Sequence, residues 1–94
     1  MTREEILDDA KKCVCGDRDQ QYWKPEKSFE AIAELWACYL RACGVRIDFL
    51  EPHDVAAMMV LFKMARVATG QNKDDNWIDA AGYAACGGEC GAEI

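Results

Sequence analysis

Apolar residues recur along this chain at spacings of three and four, the period that lines one face of a helix. Thr2 with Glu5 forms a capping-box pattern, and the helix it opens would carry Ile6, Ala10, Cys13 and Val14 inward until Gly16 stops it. The run from Gly16 to Pro25 is polar, holds Tyr22 and Trp23, and shows neither helical nor strand periodicity, which predicts an ordered loop. A second helix starts near Pro25 or Ser28 and runs to Gly44, with Phe29, Ile32, Trp36, Tyr39 and Cys43 as its core stripe. Val45 to Leu50 is too short to build a sheet. Pro52 and Asp54 open a third helix that ends at Gly70. A fourth begins at Asp74 or Asp75 and passes through Trp77 to about Cys86, where glycines weaken it. The expected architecture is a single all-α domain over residues 1–94, a bundle of about four helices.

The third helix changes the picture. From Val55 to Val67 it is apolar on nearly every side, which predicts a central, buried helix. Three short neighbours cannot cover all of it, so a homodimer or larger homo-oligomer is expected. Lys63 and Arg66 stand within that helix three residues apart, and an unpaired charge there is costly. They require an anionic partner, a structural carboxylate or an anionic ligand, unless both snorkel to water.

Charge narrows the partners. Lys plus Arg number 11 against 17 Asp plus Glu, a net charge of −6, so the surface should repel nucleic-acid backbones and anionic membranes. No stretch approaches the roughly 18 apolar residues of a membrane span, and the amino terminus is too acidic for a signal peptide; a cytoplasmic location is expected. Six cysteines without an export signal read as reduced thiols. They serve best as small buried hydrophobes, and a zinc site from Cys13, Cys15, Cys86 and Cys90 is the other reading. His53, in a helix first turn, is expected to be an exposed residue of the capping region.

Carboxylates supply the candidate chemistry. Glu26, Glu30 and Glu34 recur every four residues on the second helix and border its apolar stripe, and Asp75 and Asp79 do the same on the fourth. Acids on facing helices beside a basic pair are how bundles make metal sites, and hard oxygen ligands favour Mg2+ or Mn2+. A solvated helix face is the alternative for each row. Tyr22 and Trp23 would pin the loop to the bundle. Gly82 with Ala81, Ala84 and Ala85 makes the fourth helix narrow, suited to close packing against another helix or at a subunit interface.

Two resemblances extend this. Gly16-Asp17-Arg18 with Tyr22 and Pro25, Phe29 to Trp36, Asp54 to Met59, Lys63 to Arg66 and Asp75 to Ala85 resemble a family of short phage and prophage proteins of unassigned function over nearly the whole chain. More remotely, the pattern resembles the MazG-type all-α nucleoside triphosphate pyrophosphohydrolases. In that superfamily EExxE on one helix and ExxD on a later one bind magnesium, usually within a dimer or tetramer. Glu30 and Glu34 match the first and last positions of the first motif and Asp79 the last of the second, while Ala31 and Asn76 depart from it and Asp75 stands ready as a substitute. The resemblance implies hydrolysis of a nucleotide to monophosphate and pyrophosphate. A metal held by Glu30, Glu34, Asp75 and Asp79 would activate water, Lys63 and Arg66 would stabilise phosphate charge, and Tyr22 or Trp23 would stack on the base in place of pinning the loop. The departures at Ala31 and Asn76 suit a second class: a noncatalytic phage protein that acts by oligomerising or by binding a host factor.

Overall fold

The computed structural model describes residues 1–15 and 25–91, with side chains in the second helix from residue 27 onward. It contains four helices, α1 (Arg3–Cys15), α2 (Pro25–Ala42), α3 (Pro52–Ala68) and α4 (Asp74–Gly91), and no strand among the described residues. The fold is an all-α bundle. Among the described residues no helix is long and apolar enough to cross a membrane. The sequence between residues 16 and 24, including Tyr22 and Trp23, lies outside the described residues.

Local chemistry sets the helix ends. Thr2 donates its backbone N–H to the Glu5 carboxylate at 2.8 Å, and the Glu5 N–H donates to the Thr2 hydroxyl at 3.1 Å, closing the expected capping box. The Thr2 backbone N–H, and after it the Thr2 hydroxyl, hydrogen-bond the Glu5 carboxylate and hold it below its ordinary pKa. At the start of α3, Asp54 accepts the Glu51 N–H at 2.9 Å. α3 ends where Gly70 adopts φ +93, a left-handed conformation that a side chain would resist. There the Gly70 N–H bonds the Val67 carbonyl and the Gln71 N–H reaches back to Arg66, the two bonds of a Schellman turn.

The core is built from one face of each long helix. Phe29 and Ala33 of α2, Val55 and Ala56 of α3 and Cys86 of α4 form the buried cluster, with Ile32, Trp36, Met59 and Tyr83 packed around it. The Phe29 and Tyr83 rings lie 6.2 Å apart in a tilted arrangement. Burying a side chain such as Phe29 is worth roughly 1.5 to 3 kcal/mol. α3 packs most extensively along α4, α1 lies chiefly against α4, and α2 against α3.

Four expectations need correction. α4 runs on to Gly91 instead of weakening near Cys86. Its glycines are contact points: a Cβ on Gly87 would sit 2.9 Å from the Ala56 Cβ, and one on Gly82 would sit 3.2 Å from Val14 Cγ1, so close approach to α3 and α1 outweighs glycine's poor propensity. The core stripe of α2 includes Ala33 and Ala37 and leaves Tyr39 and Cys43 exposed. Cys13, Cys15, Cys38 and Cys43 are likewise exposed, and only Cys86 is a buried cysteine. Finally, α3 is central but not enclosed. Val55 and Ala56 are buried, whereas Met58, Leu61 and Phe62 are 41%, 66% and 50% exposed, because only α4 and α2 pack extensively along it and they leave this side open.

Candidate functional site

On α4, Asn76 and Asp79 are three residues apart and therefore share a face; on α3, so do Lys63 and Arg66. The fold sets these two faces together. The Lys63 ammonium lies 2.8 Å from an Asp79 carboxylate oxygen, with the lysine side chain 14% exposed and the aspartate 39%. One helical turn away, Arg66 donates its Nε–H to the Asn76 side-chain oxygen at 2.9 Å, while the Asn76 amide nitrogen donates to the Gln71 carbonyl. Lys63 also lies 5.8 Å from the centre of the Phe62 ring. The basic pair of α3 therefore does find partners, one a carboxylate and the other a neutral amide.

Charge follows from that difference. Asp79 compensates Lys63, and among the described residues no carboxylate forms an ion pair with Arg66. Asn76, only 1% exposed, is the buried polar residue that the sequence reading passed over as a mere departure from an acidic motif. Its signal was present: an amide in a helix first turn shortly after a glycine turn is well placed to bond the carbonyls that such a turn frees.

The remaining candidate residues stand elsewhere. Glu30 and Glu34 are exposed on α2. Each follows a buried residue, Phe29 and Ala33, and the helical step of about 100° swings it away from α3 and α4. Asp75 is exposed in the first turn of α4, next in sequence to Asn76. Glu26 lies outside the described side chains. Among the described residues no three His, Cys, Asp or Glu side chains are placed to hold one metal ion. Glu30, Glu34, Asp75 and Asp79 within a single chain therefore do not fit the magnesium site that the MazG resemblance implies. Nor do Cys13, Cys15, Cys86 and Cys90 gather for zinc. His53 is half-buried instead of exposed; its Nε2 is 3.5 Å from Asp54, and its Nδ1 is buried without a hydrogen-bond partner among the described residues.

Residues 5–91 match the profile of a domain of unknown function, DUF6378. The chain belongs to that family. It is 39% identical over 79 residues to the Gene 55 protein of Mycobacterium phage L5, covering 84% of this chain and 47% of the relative. It is 38% identical over 84 residues to the Gene 55 protein of Mycobacterium phage D29, covering 88% of this chain and 51% of the relative. The chain thus spans about half the length of the curated relatives it matches. No solved structure matches it. These matches carry the resemblance to phage proteins of unassigned function, and they carry no relationship to the MazG-type enzymes.

Proposed function

We propose that this DUF6378 protein works as a noncatalytic interaction module of a phage, acting through the outer faces of its helices. The observation that carries this reading is the surface of α3. Ala57, Met58, Leu61, Phe62, Ala65 and Ala68 are all exposed, and at about 100° per residue they fall on one side of the helix. That side carries no charge for three turns on a chain whose net charge is −6. α2 adds a second outward row, Ala31, Leu35, Cys38, Tyr39 and Ala42, with Leu35 and Tyr39 each 68% exposed. Contiguous apolar surface of this kind marks a protein contact.

The test is gene replacement in a phage that encodes the protein. Leu61→Glu and Leu35→Glu should keep the helical signal and melting temperature of the parent yet lose function in infected cells, whereas Glu34→Gln should keep both. The reverse pattern would sink this reading.

The polar cluster between α3 and α4 favours a second reading, the metal-dependent nucleotide pyrophosphohydrolase. Lys63 and Arg66 stand three residues apart, and among the described residues Arg66 forms no ion pair with a carboxylate, an arrangement suited to a nucleotide phosphate. On that reading Glu30, Glu34, Asp75 and Asp79 would need a second copy of the chain to complete a Mg2+ or Mn2+ site. Its test is pyrophosphate release from a panel of nucleoside triphosphates with either metal, with Glu34→Gln as the inactive control.

A further inference from the structure

We draw no further inference here: the strongest candidate, the apolar groove between α3 and α4 lined by His53, Val60, Leu61, Tyr83 and Gly87, carries none because nothing in the structure shows what covers it.

Discussion

Arg66 on α3 gives its Nε hydrogen to the side-chain oxygen of Asn76 on α4 at 2.9 Å, and the same amide donates to the carbonyl of Gln71 in the turn between them. Because the Gln71 N–H bonds the Arg66 carbonyl, the three residues close a ring that ties the end of α3 to the start of α4. Removing the buried amide leaves both its partners short of a bond. Asn76→Ala should therefore cost about 2 to 3 kcal/mol, read as a lower melting temperature. Asn76→Asp keeps an acceptor for Arg66 but sets a carboxylate oxygen against the Gln71 carbonyl, so it too should lower the melting temperature.

The Lys63–Asp79 pair should matter less than a fully buried one. A buried pair loses about 3 to 5 kcal/mol when one partner is removed, but Asp79 is 39% exposed and water screens it. Asp79→Asn should cost about 1 kcal/mol in denaturant titrations at low salt. The gap from wild type should narrow in about 0.5 M salt, where the charge interaction is screened. A gap that is unchanged by salt would show that packing, and not charge, carries the contact.

Adjacent glycines of α4 should respond in opposite senses. Nothing lies within 4 Å of a Cβ built on Gly88, so Gly88→Ala should stabilise the helix by about 0.5 to 1 kcal/mol. A Cβ on Gly87 meets the Ala56 Cβ at 2.9 Å, a contact that must push α3 and α4 apart. Gly87→Ala should destabilise by about 1 to 3 kcal/mol despite the same gain in helix propensity. Thermal melts of the two variants side by side check both.

The capping box makes α1 pH-sensitive. Glu5 has a lowered pKa, first through the Thr2 backbone bond and then through the Thr2 hydroxyl. A carboxyl whose folded pKa lies below its unfolded value contributes stability above the unfolded pKa and loses it as pH falls through the folded one. Amide protection in the first turn of α1 should therefore decline on acidification through the carboxylate range. In Glu5→Gln, hydrogen exchange there should show a weaker dependence on pH.

Helices were legible in the sequence because their signals are local. The Thr2 and Glu5 pair, Pro52 with Asp54, and the glycines at 44 and 70 act within a turn or two of chain, and the helix ends they predict fall within a few residues of those observed. The demand of Lys63 and Arg66 for partners was legible too, since it follows from placing charge on an apolar helix. Which groups answered that demand was decided by tertiary structure. Asp79 and Asn76 reach α3 because α4 packs along it, whereas Glu30 and Glu34, one helical step past Phe29 and Ala33, are turned outward by the packing of α2. The extent of α4 was settled in the same way, by contacts of Gly82 and Gly87 with residues far away in sequence that no propensity can anticipate. Periodicity tells which side of a helix is apolar, but only the arrangement of its neighbours determines how much of that side is covered. For α3 the neighbours cover one side and leave Met58, Leu61 and Phe62 facing out.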